Sequence, residues 1–596
     1  MTTMFIGRFS EQSDFPTVCH HNLIADCKLS KVETDQFTLY FMGRLYGAEA
    51  SSGDRTAQMA AQLYRSEGLQ GLKQLNGSYT LVIYQNDGAV HLVRDHHATH
   101  AQLYYNKEYF SSALDTLLKL PTIQAEPNLE SLSVFLSKGY VPTPHTAING
   151  IFKLPAGRIL TVQNETISVV DQYDTQTVHP APKEDGVNLE KYAKEYRQLH
   201  HEAIKKCIHG SQNVGILLSG GYDSGCNLAA LRNVYDGIIS SYSIGFKGDS
   251  WTELPLAKIM SEQFGTLHHE YEIDGTELKA LPQIISHLGD PFVEGGLMVN
   301  YSVMRMMGAD KPDVILGGDG SDQYFGTSGR EIAIRYLLSK SGTKGIFQMI
   351  YKMLSHEVFD KDGLPYRMRF HLDKILNLLE GDRFGFPTFK LNALIQPDLV
   401  DVSTPLRYNL KSFDHLYTQH ALASDLEQVI HQVILFKASR MAELFHQKMA
   451  FPYMDNELYA FLQRLPVEYK CAGHHVLDIA RGKMTAKFLL KYSYQEQLPQ
   501  AITAKKKQGG FAPMPLFFKD PAQRSKSKDF ILQSSVCNEF LNRREVERFL
   551  TTYDQEVSSS AAWFWYQQNK AIQYFNLLTL SIWWEHYIKG HCGITL

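Results

Sequence analysis

Residues 214–225 read Val-Gly-Ile-Leu-Leu-Ser-Gly-Gly-Tyr-Asp-Ser-Gly, an apolar β-type run that breaks at Ser219-Gly220-Gly221-Tyr222-Asp223-Ser224 and continues as a helix through Asn227–Arg232. Strand, glycine turn and helix in that order form a pyrophosphate cradle. Glycines let backbone N–H groups approach an anion, the hydroxyls of Ser219 and Ser224 add donors, and the helix start presents its positive end. A bare Ser-Gly-Gly is most often a plain turn, so the flanks carry the reading. There is no Gly-Lys-Ser/Thr, which excludes a Walker loop, and the expected chemistry is splitting of ATP between its α and β phosphates. Such splitting activates a carboxylate as an acyl-adenylate that an amine then attacks. Leu218, Ser219, Gly220, Gly221, Asp223 and Ser224 are therefore ATP-binding candidates.

A second turn follows downstream. Pro312-Asp313-Val314-Ile315-Leu316-Gly317-Gly318-Asp319-Gly320-Ser321-Asp322-Gln323-Tyr324-Phe325-Gly326 again runs a buried-type strand into a glycine-rich acidic turn. In a parallel sheet both turns lie at the carboxyl edge, where ligands bind. Asp223 and Asp322 can then share one Mg²⁺ that bridges ATP phosphates, since Mg²⁺ prefers few carboxylates plus phosphate oxygens. The plain alternative is two unrelated loop aspartates. Between the turns, Gly237–Phe246 and His268–Ile273 read as strands, and Thr252–Phe264, Leu278–Leu288 and Val299–Met307 as helices. That alternation argues for a doubly wound parallel sheet. Ser243-Ile244-Gly245 closes the second strand, so Ile244, with Gly317 and Gly318, is expected beside the adenosine; Glu253 reads equally well as a helix-dipole partner.

These motifs resemble the asparagine synthetase superfamily nearly from end to end. That family carries Ser-Gly-Gly-x-Asp-Ser, a Ser-x-Gly strand, Gly-Glu-Gly-Ser-Asp-Glu and Arg-x-Lys-x-Gly-Phe; here they are Ser219–Ser224, Ser243–Gly245, Gly318–Gln323 and Lys505–Phe511. The resemblance implies that Lys507 is the catalytic lysine, whose ammonium neutralises the α-phosphate and the tetrahedral intermediate. A run of lysines by itself reads as a solvated surface, and the extra Gly510 departs from the family spacing. Lys487 and Lys491 match family positions as auxiliary phosphate contacts, with solvated lysines the plainer reading.

The amino-terminal part resembles the family's glutaminase domain, an Ntn-type antiparallel sheet sandwich. Phe37–Tyr46, Leu75–Tyr84, Leu92–Asp95, Gln102–Tyr105, Val141–Thr146 and Ile151–Gly157 carry the likeness. Such a glutaminase needs a cysteine at residue 2, whose α-amine serves as base for its own thiol. Here residue 2 is Thr2, itself a conceivable amino-terminal nucleophile. The rest of the glutamine pocket argues against it: the family's Asn-Gly-Glu is Met42-Gly43-Arg44, and its Asp-x-Glu pair aligns with Thr56 and Gln58. Glutamine hydrolysis is therefore not expected. Cys19 and Cys27 read as structural thiols.

Two branches of the superfamily work without glutamine, the β-lactam synthetases and the lasso-peptide cyclases, and both share a degenerate first domain. The β-lactam branch pairs a Tyr before Gly-Ser-Asp with a glutamate base; this chain has Asp319 there, nearer to the asparagine synthetases. Asp319 is a second catalytic candidate, its role as a base left open. Glu443 is a candidate partner, but Arg440 three positions earlier makes a helix salt bridge equally good. In Arg440–Asp455 the family's glutamate becomes Lys448 and its arginine Ala450, so free aspartate is not the expected substrate. Residues 327–430 read as a helical insertion, either a lid for a bulky acid or peptide or ordinary packing helices.

The expected plan is residues 1–180 as a degenerate glutaminase-like domain, then 181–596 as a PP-loop ATP pyrophosphatase domain. The 596 residues are 44% hydrophobic with a formal net charge of −4, enough for sizeable cores and no general attraction for nucleic acid. No apolar run is long enough for a membrane span, the opening residues do not form a signal peptide, and seven scattered cysteines fit a reduced cytoplasm. Five His-His pairs receive no role, since adjacent histidines point to different faces. The Trp-rich end, Trp563–Trp565 and Leu577–Tyr587, reads as core. The expected activity is an ATP- and Mg²⁺-dependent ligase joining a small-molecule or peptide carboxylate to an amine, working as a homodimer or with a biosynthetic partner protein. Against it stand a glutamine- or ammonia-dependent asparagine synthetase, a non-catalytic binding homologue, and a PP-loop enzyme acting on tRNA or sulfate.

Overall fold

A computed structural model describes residues 4–9, 23–25, 29–47, 53–171, 189–248, 252–308, 311–325, 328–378, 385–396, 411–504, 512–557 and 562–596. The expected domain boundary at 180/181, Thr2, Cys19, Cys27 and the whole Lys505–Phe511 segment, including Lys507, lie outside the described residues.

Alternation of side chains builds the amino-terminal layers. In strand Phe37–Leu45, Phe37, Leu39 and Phe41 face helix Gly53–Glu67 through Ala57, Ala60 and Tyr64. The intervening Tyr40 and Met42 face the opposite way, into a core with Phe5, Val82, Leu92, Phe110 and Leu160. A period of two thus makes this strand bury both faces. It belongs to a six-stranded sheet in the order Thr166–Asp171, Arg158–Gln163, Val90–Arg94, Gly77–Gln85, Phe37–Leu45, Ser30–Glu33. The facing sheet runs Leu23–Ala25, Phe5–Arg8, Tyr109–Ser111, Tyr104–Tyr105, Phe152–Lys153. Every pairing in both is antiparallel, which makes the expected sandwich.

The carboxy-terminal part is built around a parallel sheet in the order Leu267–Ile273, Ile238–Phe246, Asn213–Leu217, Val314–Leu316, Met449–Ala450. From the central strand the chain first moves outward on one side, then returns to its other side with Val314–Leu316. The strand order reverses between Asn213–Leu217 and Val314–Leu316, so the crevice beyond their carboxyl ends is the switch point where ligands bind in such sheets. Helix Leu189–Ile208 packs on helix Tyr222–Val234, and helix Leu297–Met306 on strands Ile238–Phe246 and Leu267–Ile273 and on helix Leu435–Leu444.

Residues 327–430 contain helices Gly329–Lys340, Lys344–Leu354, Leu364–Leu376, Thr388–Leu394 and Phe413–Gln419, with a π-helical stretch His420–Ile434 leading into Leu435–Leu444. The closing helix Phe564–Trp583 is buried along most of its length, as its apolar sequence leads one to expect. The sandwich keeps two cores of its own, while Ile6, Tyr104 and Tyr109 join the core of the parallel-sheet part. Tyr104 donates from its hydroxyl to Leu288 O at 2.9 Å, and Trp583 Nε1 donates to Gly289 O at 2.8 Å.

Candidate active site

The first turn is tied by its own hydroxyls. Leu218 extends the central strand, its N–H donating to Tyr242 O at 2.9 Å while its carbonyl accepts from Ser243 Oγ at 2.6 Å. Ser219 N–H donates to Ser224 Oγ at 3.1 Å, the two hydroxyl oxygens lie 3.0 Å apart, and Gly221 N–H donates to Ser219 Oγ at 3.2 Å. A Cβ on Gly220 would stand 2.9 Å from Glu253 Cβ and 3.0 Å from Glu253 O, so glycine is required here for packing against the helix Leu254–Phe264. The loop is therefore held in shape before any ligand arrives, and the Tyr222–Val234 helix starts directly behind it.

The second turn meets the first across the switch-point crevice. A Cβ on Gly318 would lie 3.4 Å from Ser224 N, and Gly320 sits at φ +101°. Asp223 accepts a short hydrogen bond from Ser321 Oγ. Between the two turns stands Lys487, whose ammonium pairs closely with Asp223 and lies 2.5 Å from Asp322 Oδ1. The Lys487 side chain is only 8% exposed. Burial opposes its charge, but Asp223 and Asp322 outweigh that and raise its pKa above the ordinary lysine value. Lys487 has φ 57°, in the left-handed region, and its N–H donates to Phe325 O at 2.7 Å, which anchors the backbone to the helix Ser321–Phe325. The expectation of a solvated lysine is overturned here, because two carboxylates supply the charge that makes burial affordable. Lys491 is half-buried, its ammonium 5.3 Å from the centre of the Tyr222 ring.

A layer behind the turns fixes their spacing. Asn227 donates to Gly317 O at 3.0 Å and accepts at Oδ1 from His200 Nε2 at 2.8 Å, while His200 Nδ1 accepts from the Tyr494 hydroxyl at 2.9 Å. Burial pushes His200 down to about 3, so the ring is neutral, as this donor–acceptor chain requires. Three elements far apart in sequence thus clamp the glycine turn, and His200 gains a structural role.

Asp319 lies at the mouth of the crevice, half-buried by surface. The protein packed around it pushes its pKa up to about 6; Lys437 opposes the shift, while Glu294, Asp223 and Asp322 add to it. Glu294 and Lys437 form a close ion pair, and Glu294 Oε2 also accepts from Gly296 N–H at 2.7 Å. Neither residue stands out in the sequence. The faint signal is a lysine in the middle of a buried helix, Leu435-Phe436-Lys437-Ala438, which needs an acid nearby.

The remaining expectations are placed as follows. Ile244 is half-buried, two residues past the Leu217–Tyr242 pairing, so it lies at the same carboxyl edge as Ser219. Glu443 pairs closely with Arg440, whose Nη2 donates to His287 O at 2.7 Å, so the helix salt bridge is what forms. Ala450 is buried, in register with Leu316, and Lys448 is exposed. Among the described residues the cysteines are unpaired, and no group of three or more His, Cys, Asp and Glu is arranged for a metal. No described helix is long and apolar enough to cross a membrane.

In the sandwich, Met42 is buried in the intersheet core. Gly43 has φ 106°, with a would-be Cβ only 2.2 Å from Ser78 O. The Arg44 guanidinium lies 5.2 Å from the centre of the Tyr46 ring. Thr56 is buried and Gln58 exposed on helix Gly53–Glu67.

Sequence comparison agrees with this arrangement. The asparagine synthase family profile matches residues 195–585, and a glutamine amidotransferase domain profile matches 48–174. A Methanocaldococcus jannaschii protein, provisionally named a glutamine-hydrolysing asparagine synthetase, is 28% identical over 47% of this chain and 55% of its own length. Escherichia coli K12 asparagine synthetase B is 25% identical over 48% of this chain and 51% of its own. The chain thus spans about half the length of these relatives. A solved U34-tRNA thiolase, NcsA of Methanococcus maripaludis, overlaps at a TM-score of 0.19 with 14% identity over 43% of this chain and 80% of that one, too little to relate the two.

Proposed function

The chain belongs to the asparagine synthase family, and from that premise we propose an ATP- and Mg²⁺-dependent ligase that adenylates a carboxylate and couples it to an amine without hydrolysing glutamine. Its setting would be natural-product or modified-peptide biosynthesis, with a lactam or lasso ring as the kind of product. The observation that carries the adenylation reading is the convergence of Asp223 and Asp322 on a single cation, the Lys487 ammonium. Two carboxylates sharing one cation between glycine turns is a donor set that fits Mg²⁺, which takes few protein carboxylates and leaves positions for phosphate oxygens. Bound there, Mg²⁺ would neutralise charge on the ATP phosphates.

The protein's own groups take the remaining roles in this reading. Ser219–Ser224 binds the pyrophosphate through hydroxyls and backbone N–H groups. Leu218, Ile244, Gly317 and Gly318 border the adenosine. Lys487 moves from the two aspartates to the phosphates as they arrive, and Lys507 meets the charge that develops on the adenylate. Asp319, ionised above about 6, accepts a proton from the attacking amine. Loss of the glutamine site rests on Met42, committed to the core, and on the basic Arg44 beside it.

The test is ATP–pyrophosphate exchange against a panel of carboxylic acids and acidic peptides, with ammonia release from glutamine followed in parallel. Exchange dependent on one acid and lost in Asp322→Ala supports the reading and names the substrate class. Aspartate-dependent exchange with asparagine formed from glutamine would replace it with a glutamine-dependent asparagine synthetase. No exchange with any acid would favour a binding homologue.

A further inference from the structure

Asp360 is buried where the helical insertion meets the carboxy-terminal helices, and it is the carboxylate on which three cations close. Arg369 Nη2 lies 2.8 Å from Oδ1, while Lys570 and Lys390 lie 2.6 and 2.7 Å from Oδ2. Asp360, Arg369 and Lys570 are 5%, 7% and 4% exposed, so little water reaches them. Among the described groups of this cluster, three cations face one carboxylate. Aromatic faces offset part of this: Arg369 lies over Tyr366 and Phe389, and Lys570 over Phe549 and Tyr566. Ring faces do not satisfy every donor, however, and Arg369 Nη1 is buried without a hydrogen-bond partner among the described residues. Burial pushes Lys570 down to about 8; Asp360 opposes that shift, and Lys390 and Arg369 reinforce it.

Beside this cluster is a cavity of about 50 Å³, lined on its inner side by Asp360, Lys390 and Lys570 and walled by Phe386 and Phe549, with Arg548 and the carboxylates of Glu357 and Glu545 at its more exposed rim. A single water needs about 10–15 Å³ of such space, so the cavity has room for a carboxylate or phosphate group. Arg548 is half exposed, between Glu357 at 3.0 Å and Glu545 at 2.5 Å, and water screens those rim charges more than the inner ones. We propose that this cavity binds a small anion, a carboxylate or phosphate group seated on Lys390 and Lys570, at a site sharing no residue with the nucleotide turns. An anion there would pair with the inner ammonium groups, away from the rim carboxylates, by charge-assisted hydrogen bonds. The site is independent of the adenylation reading and would stand if that reading failed.

Isothermal titration of the full chain with sodium phosphate and with sodium acetate, at constant ionic strength against sodium chloride, tests this. The expected result is saturable millimolar binding of at least one of the two, and which one binds tells a phosphate ligand from a carboxylate ligand. Lys390→Gln should weaken that binding about tenfold, the loss of roughly one charged hydrogen bond. Arg548→Gln, at the exposed rim and without risk to folding, should weaken it about threefold through the lost charge. Ser224→Ala should leave it unchanged. Absence of saturable binding by either anion would overturn the proposal. So would binding that survives both Lys390→Gln and Arg548→Gln, or that Ser224→Ala abolishes, which would put the anion on the nucleotide turn.

Discussion

The two halves of this chain use their sheets differently. At the carboxyl edge of the parallel sheet, Ser219–Ser224 and Gly317–Asp322 keep their turns, their clamp through Asn227 and a cation between their carboxylates. In the sandwich the layers form as expected, while Met42, Arg44 and Thr56 stand where the family resemblance places Asn, Glu and Asp. Sheet packing requires only alternation and volume, so a sandwich can keep its layers whatever polar groups line its pocket. A nucleotide site requires particular atoms at particular places, so its turns tolerate less change than a sheet core does.

The sharpest way to break this contrast is Asp322→Ala. If the crevice works as proposed, pyrophosphate exchange should fall at least about a hundredfold, the scale of removing a fixed electrostatic group from a reacting phosphate site. Folding should change little, since Lys487 retains Asp223 as partner. Exchange within a few fold of wild type would mean that the two turns no longer act together.

Lys487→Met probes the same place without ligands. Removing the ammonium leaves two carboxylates facing each other, and breaking a fully buried pair costs about 3–5 kcal/mol. Asp322 is 43% exposed, so solvent reduces the loss to about 2 kcal/mol. Mg²⁺ should restore the melting temperature of the variant more than that of wild type, by binding the folded state. Equal Mg²⁺ responses would show that the lysine and the metal do not compete for the same carboxylates.

A smaller effect is expected from pH. The pKa of Asp319 is raised from the usual carboxylate value to about 6, so the group is neutral below that pH and ionised above it. Amide formation should therefore rise about tenfold between pH 5 and pH 7 while pyrophosphate exchange changes less, because only the amine step needs a base. In Asp319→Asn the rise should vanish. A rise that persists would pass the role to another group, with Glu294 beside Lys437 the first to examine.

What the sequence reveals about the site is what is local. A strand, a glycine turn and a helix start are contiguous, so Leu218–Ser224 and Gly317–Asp322 can be read directly, and the alternation of Leu75–Tyr84 marks a strand. Lys487 is hidden because it reaches Asp223 across 264 residues, and at the start of the helix Phe488–Tyr494 it looks like any solvated lysine. His200 is equally obscure: its partners Asn227 and Tyr494 lie 27 and 294 residues away. Pairing that depends on the tertiary fold leaves no mark on the spacing of neighbouring residues.

Arg44→Glu is the mildest test and bears most directly on the comparison. It returns an acid to the position where the resemblance places one, yet ammonia release from glutamine should stay at background and pyrophosphate exchange within about twofold of wild type. The reason lies in the neighbouring strand positions. Met42 sits among Phe5, Tyr40, Val82 and Leu92, so an asparagine amide there would have to be buried in an apolar core at a cost of about 1–3 kcal/mol. Thr56 is equally enclosed, on helix Gly53–Glu67 against the other face of the sheet. One introduced carboxylate would therefore leave Met42 and Thr56 as they are, both of them buried. Ammonia release from Arg44→Glu would show that the sandwich still holds a working glutamine site, with Arg44 as its block.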